Sequence, residues 1–201
     1  MLKLKKIAIT GGVASGKTSV CRFFQELGAF VVNTDAIVHE LLVFGTDLGQ
    51  KIIQQFGLEV LRNGQIDRQR IAERVFKNSD ELKQLEQILH PAVLRKIEEL
   101  YDKACHAGKF TLFVVEMPLL FEIHGEGFYD YVISVLANKD VARLRFETAG
   151  FLAADYDQRM KYQLSPEQKA KRAHYIIKNN GSLEDLKQQV AQLNNTIIHQ
   201  R

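Results

Sequence analysis

The chain has 201 residues, of which 46% are hydrophobic and 25% charged, and this composition can bury a full core in one domain with elaborations. A net charge of +3, without a block of like charges, excludes a dedicated nucleic-acid binder. No apolar run reaches membrane-spanning length, and the first residues lack the apolar core of a signal peptide. Cys21 and Cys105 have no metal-ligand spacing, so we expect a cytoplasmic protein without disulfides.

The first predicted element is a buried strand at residues 7–9, followed by a glycine-rich loop and a helix over residues 19–27. The loop has the spacing Gly-x-x-x-x-Gly-Lys-Thr, in which glycines let backbone N–H groups turn toward phosphate oxygens. Lys17 would then neutralise charge on the β- and γ-phosphates of ATP, and the Thr18 hydroxyl would ligate Mg²⁺. A glycine-rich turn that binds nothing is the alternative. The predicted ATP-binding residues are Gly11, Gly12, Val13, Ala14, Ser15, Gly16, Lys17, Thr18 and Ser19.

A second buried strand is predicted at residues 30–32, and Asp35 follows it at the carboxyl end, where open parallel sheets bind their ligands. Asp35 also precedes a predicted helix over residues 36–42, so it could be the N-cap of that helix. Position alone leaves both roles open, because one carboxylate can cap a helix and also act in catalysis.

Residues 37–101 are predicted to form helices joined by short turns, with Gly57 and the Asn63-Gly64 pair as the clearest breaks and no strand. The segment is too long for a plain crossover between strands, and in nucleotide kinases such segments usually carry substrate contacts. His90 precedes Pro91, which suits the first position of a helix. Local sequence therefore favours a capping role for His90.

Three more strands are predicted at residues 111–115, 131–136 and 175–177, the first of them a continuous apolar run suited to a sheet covered on both faces. Glu116 and Glu122 follow that run, where they could position Mg²⁺ or substrate, or could be solvated surface acids. Strands alternating with helices around a phosphate-binding loop predict an α/β fold, a three-layer α/β/α sandwich with a parallel sheet.

Residues 140–172 are predicted to be helical, with a break at Gly150 and many cations. Such a run of charged residues usually forms a solvated helix face. A mobile segment between the last two strands could also close over the triphosphate and supply arginines to the transferred phosphoryl group. Residues 183–198 form a predicted amphipathic helix whose apolar face packs on the core, with the spacing Leu183, Leu186, Val190 and Leu193.

Motifs in order along essentially the whole chain resemble the dephospho-CoA kinase family, the P-loop kinases of the last step of coenzyme A synthesis. Beyond the P-loop, no single motif is specific for this family. The order and spacing of the motifs together are specific for it. The matching stretches are residues 10–17, Asp35 with His39, Leu89-His90-Pro91, residues 118–122 (Pro-Leu-Leu-Phe-Glu), Arg159 with Gln163 and Lys169, and Ile177 with Asn179 and Gly181.

The resemblance implies a P-loop NTPase fold like that of nucleoside-monophosphate kinases, as one domain. Its core would comprise about residues 1–36, 102–138 and 174–201, with a helical substrate-binding part over about 37–101 and a lid over about 139–173. It implies an ATP- and Mg²⁺-dependent transferase that phosphorylates the ribose 3′-hydroxyl of dephospho-CoA. Such a protein would be a cytoplasmic monomer or weak homo-oligomer that binds neither nucleic acid nor membrane. The alternatives are another small-molecule kinase of this fold or a P-loop switch that phosphorylates no metabolite.

The same resemblance assigns roles to individual residues. Asp35, Lys17 and Arg143 are the expected catalytic residues, and Asn179 joins the residues expected to bind ATP. The expected substrate-binding residues are Asp35, His39, His90, Pro118, Leu119 and Glu122.

Two departures from the family pattern bear on these roles. Asn33 stands where the family has the first acid of an Asp-x-Asp pair. Glu147 stands where a lid arginine is expected four residues after Arg143, so Arg145 or Arg159 could serve instead.

Overall fold

A computed structural model describes residues 3–75 and 78–200. Their contacts form two compact units, one with the described residues up to Asn33 and from Lys103 onward, the other with Thr34–Asp102. Residues 1, 2, 76, 77 and 201, which fall in the predicted core and helical segments, lie outside the described residues. In chain order the elements are β1 (Lys6–Gly11), α1 (Lys17–Glu26), β2 (Phe30–Asn33), α2 (Thr34–Leu41), α3 (Asp47–Phe56), β3 (Leu61–Arg62), β4 (Gln65–Ile66), α4 (Arg68–Val75), α5 (Ser79–Ala107), β5 (Phe113–Glu116), β6 (Tyr131–Leu136), α6 (Lys139–Thr148), α7 (Ala153–Lys161), α8 (Pro166–Arg172), β7 (Tyr175–Lys178) and α9 (Leu183–His199).

The first unit is built on a five-stranded parallel sheet with the strand order β2-β5-β1-β6-β7. In the central strand β1, Ile7 and Ile9 are fully buried, as expected where helices flank a parallel sheet. They pack in one core cluster with Phe24 of α1 and Val190 of α9. The predicted α/β fold with a parallel sheet is therefore confirmed, with strand ends that differ from the prediction by one or two residues.

The parallel sheet also positions the site. Because its strands run in the same direction, their carboxyl ends meet at one edge, which is where such sheets bind ligands. Gly11 ends β1, Asn33 ends β2 and Glu116 ends β5, while Asn179 directly follows β7. Four residues from distant parts of the sequence are thereby delivered to the same edge.

Three further helices, α6 to α8, occupy the predicted polar helical span, and Gly150 lies between the first two of them with φ of 89°. Phe146 of α6 and Tyr156 of α7 are buried against each other in a small cluster. In α9, Leu186 and Val190 are buried as predicted. Leu183 is 56% exposed, so its assignment to the packed face of that helix is wrong; it is the first residue of the helix.

The second unit contains α2, α3, α4 and most of α5 around its own core, in which Ile52, Phe56 and Ile71 are buried. The prediction that residues 37–101 hold no strand is wrong, because β3 and β4 form an antiparallel hairpin. Its turn is Asn63-Gly64, with φ of 52° and 74°, the left-handed pair that favours two-residue hairpins. Strands of two residues leave no apolar run for the sequence to reveal.

Helix α5 runs through Pro91 rather than beginning there. The prediction of Pro91 at the first helical position, and of His90 as a cap, is therefore wrong. A proline inside a helix costs about 3 kcal/mol. Upstream side chains such as Leu85 and Ile88 are partly buried against the core of the second unit, and each recovers part of the roughly 1.5–3 kcal/mol that full burial would contribute.

Helix α2 begins directly after β2, at Thr34, so Asp35 lies in its first turn. The predicted start of this helix at residue 36 is therefore wrong, and so is the alternative in which Asp35 is its N-cap. Asp35 still favours the helix, because a carboxylate in the first turn interacts with the positive end of the helix dipole.

None of the helices in the described part of the chain combines the length and the hydropathy that a membrane span requires.

Candidate active site

The loop between β1 and α1 has a backbone that only glycine can adopt at two positions. Gly11 and Gly16 have φ of 146° and 97°, values that residues with a side chain rarely adopt. A Cβ atom at Gly11 would lie 2.3 Å from the carbonyl oxygen of Val135, and one at Gly16 would lie 2.1 Å from Nδ2 of Asn179. The first and last glycines of the motif are therefore required by the packing around the loop.

The amino end of α1 follows this loop at Lys17, and Gly16 at the N-cap has no side chain with which to cap it. The first N–H groups of a helix have no partner within the helix, and together with the helix dipole they attract anions. The geometry suits a phosphate group held by backbone N–H groups.

The Lys17 side chain folds back over the loop. Its Nζ donates hydrogen bonds to the carbonyl oxygens of Gly12, at 2.7 Å, and Gly11, at 3.3 Å. The ammonium charge therefore lies beside the backbone groups that would receive phosphate.

A buried carboxylate links three elements at the edge of the sheet. Glu116, at the end of β5, is 5% exposed, which excludes the alternative of a solvated surface acid. Its Oε1 accepts a hydrogen bond from the Thr18 hydroxyl at 2.9 Å, and its Oε2 accepts one from the Asn33 side-chain amide at 2.9 Å. An aspartate at position 33 would bring a second carboxylate against the buried Glu116, so Asn33 suits this partner better than the family's acid does.

Cys21 lies one turn beyond Thr18 and is buried. Burial, reinforced by the nearby Glu116 carboxylate, raises the pKa of its thiol well above the ordinary value. The thiol is therefore neutral and a poor nucleophile.

The oxygens of Thr18 and Glu116 are the hard ligands that Mg²⁺ prefers, and Mg²⁺ usually takes only one or two protein groups, with water and substrate phosphates completing its shell. Across residues 3–75 and 78–200 no cluster of three or more His, Cys, Asp or Glu side chains could hold a metal alone. The residues present thus fit a phosphate-dependent Mg²⁺ site.

Asn179 supports the loop from the other side of the sheet edge. Its Nδ2 donates to the carbonyl oxygen of Ser15 at 2.8 Å. Arg145 in turn donates to the Asn179 carbonyl oxygen at 2.9 Å and to its Oδ1 at 3.3 Å. Arg145 is therefore linked to the loop through one intervening residue, a contact that the sequence motif did not reveal.

The other two arginines proposed for the lid have local partners. The Arg143 guanidinium lies 3.4 Å from a Glu147 carboxylate oxygen and 3.7 Å from one of Asp157. Arg159 lies over the rings of Phe146 and Phe151. The catalytic role of Arg143 stays a prediction.

Arginine-to-alanine variants would separate these roles. We expect Arg143→Ala to lower kcat by at least about tenfold, because a lid arginine acts on charge that grows during phosphoryl transfer. Arg145→Ala should mainly raise the KM for ATP, since Asn179 loses the partner that holds it against the loop. Steady-state kinetics of both variants check this prediction. A loss of kcat in Arg145→Ala alone would show that the lid arginine is Arg145 and not Arg143.

The loop after β5 is fixed by a buried ion pair. The Lys169 side chain is fully buried, with Nζ 2.9 Å from Oε1 of Glu122. It also donates to the carbonyl oxygen of Pro118 at 2.6 Å. Burial lowers the pKa of Lys169, and the Glu122 carboxylate partly opposes this shift.

Among the predicted substrate residues of this loop, Leu119 is 42% exposed. The predicted substrate contacts of Pro118, Leu119 and Glu122 stay predictions, and Glu122 has in addition a structural partner that the sequence did not reveal.

Breaking this ion pair should destabilise the protein. Lys169→Met leaves the mostly buried Glu122 carboxylate without its cation, which we expect to cost about 3–5 kcal/mol of unfolding free energy. The exposed Lys171, two residues away, provides the control, since Lys171→Met should change stability by less than about 0.5 kcal/mol. Denaturant unfolding of both variants is the measurement. If Lys169→Met unfolds at the same denaturant midpoint as Lys171→Met, the ion pair contributes little to stability.

The remaining predicted substrate residues lie in the second unit. Asp35 and His39 are exposed and stand one helical turn apart on α2. His90 is half-buried within α5, and burial lowers the pKa of its imidazole, partly opposed by Glu86. His90 is therefore neutral near pH 7. Substrate binding by these three residues stays a prediction.

The parallel sheet with a phosphate-binding loop after its first strand defines a P-loop kinase-like protein. Residues 5–185 match the family model described as CoaE: Dephospho-CoA kinase. The dephospho-CoA kinase of Protochlamydia amoebophila is 45% identical over 195 residues, which cover 96% of each chain. The chain belongs to the dephospho-CoA kinase family, so the kinase class and the family predicted from the sequence are confirmed.

Solved structures agree with this membership. The dephospho-CoA kinase from Campylobacter jejuni superposes with a TM-score of 0.69 at 29% identity, over 96% of each chain. TT1252 from Thermus thermophilus superposes with a TM-score of 0.85 at 28% identity, over 98% of this chain and 99% of that one.

Proposed function

We propose that the chain transfers the γ-phosphoryl group of ATP to the ribose 3′-hydroxyl of dephospho-CoA, the reaction that completes coenzyme A. The observation that supports this function is the loop between β1 and α1, whose two required glycines and overlying Lys17 suit the phosphates of a nucleoside triphosphate. It occurs in a chain that matches the dephospho-CoA kinase family model over residues 5–185.

ATP would place its phosphates against the loop residues 11–19 and the amino end of α1. Lys17, already over the loop, would turn from the Gly11 and Gly12 carbonyl oxygens toward the β- and γ-phosphates. There the ammonium group and the backbone N–H groups would stabilise negative charge as it moves toward the leaving group.

Thr18 and Glu116 would hold Mg²⁺ together with the phosphates. When bound, the ion would neutralise charge on the β- and γ-phosphate oxygens. Glu116, fixed by its hydrogen bond from Asn33, would keep the Thr18 hydroxyl in position for this ligand set.

Asp35 would orient the ribose 3′-hydroxyl and accept its proton. An exposed carboxylate in the first turn of α2 is accessible to an acceptor substrate. His39, His90, Pro118, Leu119 and Glu122 would contact the acceptor, and Arg143 would act from a lid whose closure keeps water from consuming ATP.

The cysteine pattern supports a cytoplasmic location, since Cys21 and Cys105 are free thiols. A monomer or weak homo-oligomer, without nucleic-acid or membrane partners, completes the proposal.

An ADP-release assay with different acceptors tests the function. We expect kcat/KM for dephospho-CoA to exceed that for AMP or CMP on the order of a hundredfold or more, because binding energy from the pantetheine arm helps to orient the reacting hydroxyl. Without an acceptor, ADP release should be close to background. Comparable kcat/KM for AMP would indicate a nucleoside-monophosphate kinase, and equal ADP release without an acceptor would exclude the proposed transfer.

A further inference from the structure

A cavity of about 420 Å³ lies within the second unit. Hydrogen-bond donors dominate its wall: His39 from α2, Arg62 and Gln65 from the hairpin, and Arg68 and Gln69 from the start of α4. The lining thus combines two arginines and a histidine, the side chains best suited to phosphate oxygens.

The acid in the lining, Asp67, is already occupied. Its Oδ1 accepts hydrogen bonds from the backbone N–H groups of Gln69, at 2.9 Å, and Arg70, at 3.3 Å. Its Oδ2 lies 3.9 Å from Nε of Arg70. Asp67 therefore caps α4, and its Oδ2 is shared between Arg70 and the lining Arg62, whose Nη1 lies 3.7 Å away. One carboxylate shared in this way does not cancel the charges of both lining arginines.

Both lining arginines are available for a ligand. Within residues 3–75 and 78–200, Arg68 makes no hydrogen bond or ion pair with another side chain. Arg62 has one ion pair, 3.7 Å from Asp67, with 67% of its side chain exposed, and exposed pairs of this kind contribute little. Arg62 also sits on a defined backbone, directly before the Asn63-Gly64 turn and opposite Gln65 in the hairpin.

The cavity lies on the same face of α2 as Asp35. His39, which lines it, follows Asp35 by four residues, so the two side chains lie about 6 Å apart along the axis and about 40° apart around it. In dephospho-CoA, the 3′-oxygen connects to the α-phosphorus through C3′, C4′, C5′ and O5′, a path that spans roughly 5–7 Å with bonds of about 1.5 Å. An acceptor whose 3′-hydroxyl meets Asp35 would therefore bring its diphosphate to His39.

We propose that this cavity binds the diphosphate of the acceptor, with Arg62 and Arg68 as its cationic ligands and His39 beside them. The assignment rests on the proposed function, because it takes dephospho-CoA as the acceptor. It gives the second unit a defined task, which is to hold the acceptor by its diphosphate so that the ribose hydroxyl is presented to Asp35.

A second cavity of about 390 Å³ in the same unit fits this role less well. It is lined by the cations Lys51 and Arg95 but also by the acids Asp47 and Glu99. Its contribution from α2 is Leu41, which is about 120° around the helix from Asp35. This cavity offers a matched control, because Arg95 is likewise a cavity-lining arginine, and in the described part of the chain it too has no ion-pair partner.

The experiment compares acceptors that carry two, one or no phosphates: dephospho-CoA, AMP and adenosine. Arg68→Gln and the Arg62→Gln/Arg68→Gln double variant should raise the KM for dephospho-CoA on the order of tenfold to a hundredfold. The loss of kcat/KM should be smaller for AMP and within about twofold for adenosine, which has no phosphate to lose. Arg68→Lys should bind dephospho-CoA more tightly than Arg68→Gln because it keeps the positive charge. It should bind less tightly than the wild type because an ammonium group lacks the planar fork of the guanidinium. Arg95→Gln should match the wild type with all three acceptors, and calorimetric binding of dephospho-CoA should show the same order of affinities.

The outcomes separate two failures. A wild-type protein that does not phosphorylate dephospho-CoA would overturn the proposed function, and this site with it. If the wild type is active, three results would each overturn the diphosphate site alone: an unchanged KM in the double variant, equal losses with adenosine and dephospho-CoA, or a loss in Arg95→Gln as large as in Arg68→Gln. Because Arg68 is exposed, thermal melts should be unchanged, so that a KM change reports on binding and not on folding.

Discussion

Replacing Asp35 by asparagine is expected to lower kcat by roughly 10²–10⁴-fold, the usual contribution of a general base. The amide has nearly the shape of the carboxylate but can neither accept the proton of the ribose hydroxyl nor supply negative charge. Phosphoryl transfer with a loose transition state needs little proton removal early, so the loss could fall at the lower end of this range. Stability should change by only about 0.3–1 kcal/mol, since Asp35 contributes to the fold through the dipole of α2.

Asp47 provides a matched control for this prediction, because it is an acid in the first turn of α3. Asp47→Asn makes the same chemical change in the first turn of another helix and should leave kcat within about twofold. Steady-state kinetics beside a thermal melt of each variant are the measurement. A kcat near the wild-type value in Asp35→Asn would reduce Asp35 to a residue that stabilises the start of a helix.

The second large effect is expected at Lys17. Lys17→Ala should lose on the order of a hundredfold or more in kcat, because the ammonium group is proposed to bind charge that grows on the phosphates during transfer. The fold should persist, since the Lys17 side chain donates to the carbonyl oxygens of Gly11 and Gly12 in a loop whose conformation its glycines define.

Lys103 on α5 serves as the control for Lys17, because it is an exposed lysine that the proposal does not use. Lys103→Ala should retain full turnover, and both variants should melt within a few degrees of the wild type. Near-normal turnover of Lys17→Ala would remove the assignment of the loop as the ATP site.

The strands of the sheet could be predicted because each buried parallel strand is a short apolar run bounded by turns. The hairpin of residues 61–66 could not, since its strands have two residues each and only the Asn63-Gly64 turn leaves a signal. Pro91 was misplaced for a different reason. Local rules put proline at the start of a helix, whereas packing of the preceding turns on the core keeps α5 continuous through it.

The conformation of the glycine-rich loop could be predicted, because its residues are contiguous and two of its glycines are required by the backbone dihedral angles of the loop. The partners around it could not. Thr18 and Glu116 are 98 residues apart in sequence, and Asn33 and Glu116 are 83 apart, so only the fold shows that they meet. The same holds for Lys169, because neither its family motif nor its polar segment indicates that it is fully buried against Glu122.

The most direct test of the central claim is the position of the transferred phosphate. The purified chain is incubated with ATP, MgCl₂ and dephospho-CoA, and the product is analysed by NMR correlation of phosphorus with the ribose protons. We predict a new phosphomonoester coupled to the 3′ proton of the ribose, formed in equal amount to ADP and absent when dephospho-CoA is omitted. A phosphate at another position, or ADP released without a new phosphomonoester, would contradict the account.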